Sequence, residues 1–134
     1  GIFRGPIIFY DPSNKELAQK SHKVIQHIDI MPSILSYLQY NKPFISLGNN
    51  IFSDEEGFAM NYNNGFQLIM DNRIIFYNEI EEKITKISQL ADNSNKNILT
   101  DITQKNILKY ENKIKAFIQT YNNNMINNTL NIEN

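Results

Sequence analysis

The sequence predicts an α/β to α+β protein: the β-loop-α end of a larger sheet over residues 1–48, then, over residues 49–134, a small antiparallel meander covered by a C-terminal helix. Three observations carry that expectation. An unbroken apolar run, Ile7, Ile8, Phe9 and Tyr10, reads as a strand covered on both faces. Apolar and polar residues alternate on both sides of Asn64-Gly65, the signature of a hairpin. Ile107, Tyr110, Ile114, Phe117, Ile118 and Tyr121 recur at helical spacing.

The first strand ends at the turn signal Asp11-Pro12-Ser13-Asn14. A polar loop leads to Asp29, a good N-cap for a helix whose Ile30, Ile34, Leu35 and Leu38 form one apolar stripe. Pro32 falls in the first turn, where a missing N–H does no harm, and Asn41 and Pro43 should stop the helix. A glycine-containing segment over residues 45–52 then reaches the acidic turn 53–57. Phe58, Met60 and Tyr62, then Phe66, Leu68 and Met70, flank Asn64-Gly65, whose residues tolerate positive φ in a two-residue turn. Asp71-Asn72 makes a second tight turn before Ile74, Ile75, Phe76 and Tyr77. Residues 84–87 form a fourth strand or a short helical piece, a choice that so short an apolar run leaves open. The last helix is expected from about Thr103 to Tyr121, with the Asn-rich stretch after it expected to fray.

Composition narrows the function classes. A chain of 134 residues with 41% hydrophobic and 20% charged residues is ordinary globular material. Net charge is −1 and basic residues are scattered singly, which disfavours nucleic acid as a partner. There is no cysteine, hence no disulfide, thiolate site or thiol nucleophile. No apolar run approaches the roughly 20 residues that span a bilayer, so no membrane span is expected. Gly1 at the start, in place of Met, reads as a cloning remnant or the edge of a fragment.

The residues P-I-I-F-Y-D-P at 6–12 and Q-H-I-D-I-M-P-S-I-L-S-Y-L at 26–38 resemble the C-terminal portion of bacterial sulfatases and lipoteichoic-acid-synthase-like phosphoglycerol transferases, enzymes of the alkaline phosphatase superfamily. The similarity continues through Gly48 and, in outline, to L-A-D-N-S-N-K-N-I-L at 90–99. It implies that residues 1–48 end a catalytic α/β domain and residues 49–134 form the C-terminal subdomain. It also implies a parent that acts on sulfate or phosphate esters in the bacterial cell envelope, as hydrolase or transferase, with a bound divalent metal ion. That family carries its nucleophile and metal ligands upstream of the matched segment. No catalytic, cofactor-binding or metal-binding residue is therefore assigned to this chain, and the chain alone is expected to be inactive.

His22, His27 and Asp11 are the possible substrate-cleft residues, because open α/β sheets bind ligands beyond the carboxyl ends of their strands. Each has a plainer alternative. The histidines, five residues apart, lack a convergent ligand set; Asp11 sits in a context that favours a turn-forming carboxylate; Asp29 beside His27 is first a cap. The clusters Asp54-Glu55-Glu56 and Glu79, Glu81, Glu82 read as solvated turns without calcium-loop spacing. No nucleophile elbow or phosphate-binding glycine loop is present. The partners implied are an upstream catalytic domain of the same polypeptide and, through the uncovered Ile7, Ile8, Phe9 and Tyr10 strand, other copies of the chain. A rival from another class is a self-contained protein- or polysaccharide-binding module with Tyr62, Phe66 and Tyr77 as its surface.

Overall fold

A computed structural model of the chain describes residues 5–17, 19–91 and 94–127. The expectations for the first four residues, and for fraying over residues 128–134, lie outside those described. In chain order the described residues form α1 (Ile30–Tyr37), β1 (Ala59–Tyr62), β2 (Phe66–Met70), β3 (Arg73–Asn78), β4 (Lys83–Gln89) and α2 (Gln104–Ile126), with short 3-10 turns at Lys15–Leu17 and His27–Asp29 before α1 and at Leu99–Asp101 before α2. The four strands form one antiparallel meander in the order β1-β2-β3-β4, and α2 packs on β2, β3 and β4. This is the α+β character expected.

Two cross-sheet rows face the helix. Met60, Leu68, Ile75 and Ile87 pair in one, and Tyr62, Phe66, Tyr77 and Ile84 in the other. Period-2 geometry alone would put Ile84 and Ile87 on opposite faces. A β-bulge resolves the conflict: Phe76 pairs with Lys86 and Tyr77 with Ile84, so Thr85 is the extra residue and both isoleucines are buried in the core. The core comprises Phe58, Leu68, Met70, Ile75, Tyr77, Ile84, Ile87, Tyr110 and Ile114, with Ile107, Phe117 and Ile118 of α2 packed against it. The helix runs to Ile126, past the expected end, and Tyr121 is exposed.

Turn chemistry holds the register. Asp71 and Asn72 have φ of 52° and 56°, a two-residue turn between paired Met70 and Arg73. Asn64 and Gly65 also have positive φ, 53° and 129°, but the connection is longer than expected. Tyr62 pairs with Phe66, which leaves residues 63–65 as a three-residue loop. Asn78 accepts hydrogen bonds from the N–H groups of Ile80 and Glu81 through its Oδ1, at 2.9 and 3.2 Å, closing the β3–β4 turn.

The sheet edges are covered rather than left open. The Met60 N–H on β1 donates to Gln26 Oε1 at 3.0 Å. At the other edge, Ile98 N–H donates to the Ile87 carbonyl at 2.8 Å and Ile87 N–H to Asn97 Oδ1 at 3.2 Å. Such covering blunts edge-to-edge pairing.

Three expectations for the first third of the chain need correction. Residues 7–10 form no strand and pair with no strand among the described residues. The two edges of the meander are met by Gln26 and by residues 97–98, so this run has no strand partner, and Ile8 and Tyr10 are 82% and 84% exposed while Phe9 packs edge-on against Phe52 at 5.4 Å. Asp29 does not cap from the N-cap position: its backbone is already helical, in a 3-10 turn over His27–Asp29 that leads into α1. Finally, α1 buries Pro32 and Ser33, not its aliphatic stripe, so Ile34 and Leu38 face outward. Its stop is Gln39, at φ 55°. The Gln39 and Tyr40 N–H groups bond the Ser36 and Leu35 carbonyls at 3.0 and 2.9 Å, a Schellman closure with Gln where Gly is usual.

Candidate functional site

The segment 22–40 is held by side chains that bond backbone groups far away in sequence. Asp29, nearly fully buried, accepts the Gln26 N–H through Oδ2 at 2.9 Å and the Asn49 N–H through Oδ1 at 2.8 Å. The first bond is the return half of a capping box, from the third helical residue back to the cap. Ser33 has no exposed surface; its hydroxyl donates to the Asp29 carbonyl at 2.5 Å and accepts the Ile51 N–H at 3.0 Å. Gln26 bonds β1 as described above. Lys23 Nζ donates to the Ser53 carbonyl at 2.8 Å. Together these four side chains lash residues 46–60 against residues 22–33.

Gly48 is required by the same contact. A Cβ there would lie 2.0 Å from the Ile28 carbonyl oxygen and 2.7 Å from the Asp29 nitrogen, so any side chain would push the two backbones apart. The residues carrying the family resemblance, Gln26, Asp29, Ser33 and Gly48, are thus the parts of a backbone clasp. Buried N–H groups need acceptors, and these residues supply them where neither helix nor sheet does.

Asp11 occupies the turn that its context suggests. Its Oδ1 accepts the Ser13 N–H at 2.8 Å and the Ser13 hydroxyl at 2.6 Å, and its Oδ2 accepts the Tyr37 hydroxyl at 2.5 Å. Asn14 Nδ2 donates to the same Tyr37 oxygen at 3.1 Å. Donation by the Ser13 and Tyr37 hydroxyls holds the Asp11 carboxyl below its ordinary value, and donation to Asp11 raises the Tyr37 phenol. The Tyr37 ring lies 6.0 Å from Phe52, which also meets Phe9. The loop after residue 10 is therefore pinned to the last turn of α1.

His22 and His27 are exposed, and no hydrogen bond to either imidazole occurs among the described residues. No group of three or more His, Cys, Asp or Glu suited to a metal ion is found among the described residues, so His22, His27 and Asp11 do not come together as a ligand set. In this first part of the chain several large apolar side chains are exposed: Ile8, Tyr10, Ile28, Met31, Ile34 and Leu38, the last at 67%.

A second polar cluster, not legible in the sequence, sits where α2 crosses the β2–β3 turn. Tyr110, completely buried, donates from its hydroxyl to Asp71 Oδ2 at 2.9 Å and accepts from Arg73 Nη1 at 2.6 Å. Lys109 bridges Asp71 and Glu56 at 3.1 and 2.9 Å. A hydrogen bond with the Glu56 carboxyl, followed by those from Tyr110 and Lys109, lowers the Asp71 pKa against the effect of partial burial. Lys109 is raised, first by Glu56 and then by Asp71, and burial raises the Tyr110 phenol. Lys109 is matched by Asp71 and Glu56, whereas Arg73 meets the neutral Tyr110 hydroxyl and leaves its buried Nε without a hydrogen-bond partner; the cluster fixes the helix to the turn. Glu56, expected as a solvated residue, belongs to it.

The aromatic surface of the rival reading is reduced. Tyr77 is 5% exposed and part of the core, and Phe66 packs against that core; Tyr62 is the exposed member of the trio. No helix among the described residues is long and apolar enough to cross a membrane. Comparison with family models, with curated proteins and with solved structures found no match.

Proposed function

We propose that this chain is the C-terminal part of a sulfatase-like or phosphoglycerol-transferase-like metalloenzyme of the bacterial cell envelope. In that role it supports a catalytic domain carried upstream in the same polypeptide and forms one wall of its substrate cleft. The observation that carries the reading is the division of labour within the segment 26–38. The inward side chains Gln26, Asp29 and Ser33 accept backbone N–H groups of the clasp through their oxygens. The outward ones, Ile28, Met31, Ile34 and Leu38, with Ile8 and Tyr10 beside them in the resemblance, do nothing for this chain's own core. Exposed apolar side chains grouped along one helix favour an interaction surface, and a catalytic domain is the partner that the resemblance supplies. The parent's divalent metal ion and nucleophile belong to that upstream domain, with His22, His27 and Asp11 toward the cleft.

The gene's reading frame upstream tests this directly. A Thr or Ser nucleophile followed by an Asp-His pair is expected there; a frame with neither overturns the proposal. The isolated chain is expected to turn over no aryl sulfate or phosphate ester, with or without divalent metal, and to self-associate through the uncovered face around Ile8. Light scattering should show association reduced in Ile8→Lys; a monomer in both cases, with residues 7–10 ordered, contradicts the uncovered face.

A further inference from the structure

Asn64 is the one asparagine of this chain that glycine follows. The pair sits in the three-residue loop 63–65 that joins β1 to β2, with Asn64 exposed and the two φ angles at 53° and 129°. Asparagine is a thermolabile residue, and its lability depends on the backbone nitrogen that comes next, which can close on the side-chain Cγ to form a five-membered ring. Here that nitrogen is poorly guarded. Gly65 has no Cβ to shield it, and its N–H donates no backbone hydrogen bond to a described residue, because the loop is closed instead by the Asn63 N–H on the Gly65 carbonyl at 3.0 Å.

Two other turn asparagines give an internal comparison. Asn72 is exposed and also holds positive φ, 56°, but the nitrogen after it belongs to Arg73, which opens β3 opposite Met70 and carries a long side chain. Asn78 is followed by Glu79, and its Oδ1 already accepts the Ile80 and Glu81 N–H groups. Turn location is shared by all three; the unshielded nitrogen is found at Asn64 alone.

We propose that Asn64 is a site of spontaneous covalent modification, converted in the folded protein to aspartate and isoaspartate. The Gly65 nitrogen gives its proton to solvent and bonds to Asn64 Cγ, the Cγ–Nδ2 bond breaks, and ammonia leaves a succinimide. Water then opens the ring: cleavage at Cγ restores an ordinary aspartate, and cleavage at the main-chain carbonyl routes the backbone through Cβ as isoaspartate. One water is consumed, one ammonia is released, and no oxidant or enzyme is needed. The product adds a negative charge to a chain of net charge −1, in a groove that Glu79 also lines. Isoaspartate further lengthens a loop that abuts the Tyr62–Phe66 pair, so β1, an edge strand of the sheet, is the element it loosens. This inference does not rest on the proposed enzymatic parent.

Peptide mapping by mass spectrometry, on the whole folded chain held in mildly alkaline buffer at physiological temperature, tests it. Amide-to-acid conversion should appear at Asn64 severalfold faster than at Asn72 or Asn78, with matching ammonia release and labelling by an isoaspartyl methyltransferase. Asn64→Gln, which would have to close a six-membered ring, should abolish conversion in the loop, and Gly65→Ala should slow it severalfold. Amide exchange in the aged protein should quicken over residues 59–66 and stay unchanged in β3 and β4. Conversion at Asn64 no faster than at Asn72, or conversion in the urea-denatured chain but not in the folded one, would overturn the proposal.

Discussion

Residues 58–118 and residues 5–57 are stabilised in opposite ways. The meander and α2 bury a continuous set of large side chains, with Leu68, Ile75, Ile87, Tyr110 and Ile114 excluded from solvent. The earlier region buries Asp29, Pro32 and Ser33 and leaves Ile8, Ile28 and Ile34 exposed. Its order depends on hydrogen bonds from a few polar side chains to distant backbone. An apolar core contributes in proportion to area and tolerates imperfect geometry, whereas a buried polar clasp fails sharply once one partner is lost. The first region rests on its own apolar core; the second leaves Ile8, Ile28, Ile34 and Leu38 exposed.

Mutations should separate the two. Leu68→Ala should cost most, about 3 kcal/mol, by opening a cavity beneath α2; the midpoint of chemical denaturation measures it. Asp29→Ala should cost about 2 kcal/mol by stranding the Gln26 and Asn49 N–H groups. Its effect should be local, with faster amide exchange over residues 26–51 and unchanged strand spectra. Gly65→Val should cost about 1–2 kcal/mol, because a β-branched residue resists positive φ and its Cβ would sit 3.0 Å from the Tyr77 carbonyl oxygen. An unchanged midpoint would show that the turn tolerates the side chain.

Asp71→Asn sharpens the comparison with the least disturbance, since Asn also tolerates the φ of 52° at that turn. The folded carboxyl is lowered from its ordinary value, so its stabilisation is complete above the unfolded carboxyl range, about 3.9, and is lost as pH falls through the folded value. The variant should therefore be less stable than the parent by about 1 kcal/mol at neutral pH, with the gap closing below about pH 4. Thermal melts at the two pH values read the difference.

The meander was legible because its signals are local. Alternation places Leu68 and Ile75 inward, and Asn64-Gly65 and Asp71-Asn72 mark the turns within two residues of where the chain reverses. Where the sequence was ambiguous, at Ile84 and Ile87, the cause is physical. Their spacing of three mimics a helix because the Thr85 bulge restores their common face, and a bulge leaves no residue signature here. The clasp was not legible, since Asp29 meets Asn49 twenty residues later and Ser33 meets Ile51 eighteen residues later. Asp11 was recognisable as a turn residue, but its closure by Tyr37, twenty-six residues away, was not. The run at residues 7–10 shows the same limit from another side: apolar sequence declares a wish for burial without saying which chain supplies the cover.

Amide hydrogen exchange on the whole chain under native conditions tests the two-region division most directly. The amides of Leu68 and Ile75, on the two central strands, should exchange only through global unfolding. Those of Gln26, Asn49 and Ile51, bonded to Asp29 and Ser33, should open at a distinctly lower free energy, with a larger gap in Asp29→Ala. A single exchange free energy shared by both sets, moving together when either Asp29 or Leu68 is replaced, would show one cooperative core and contradict the division.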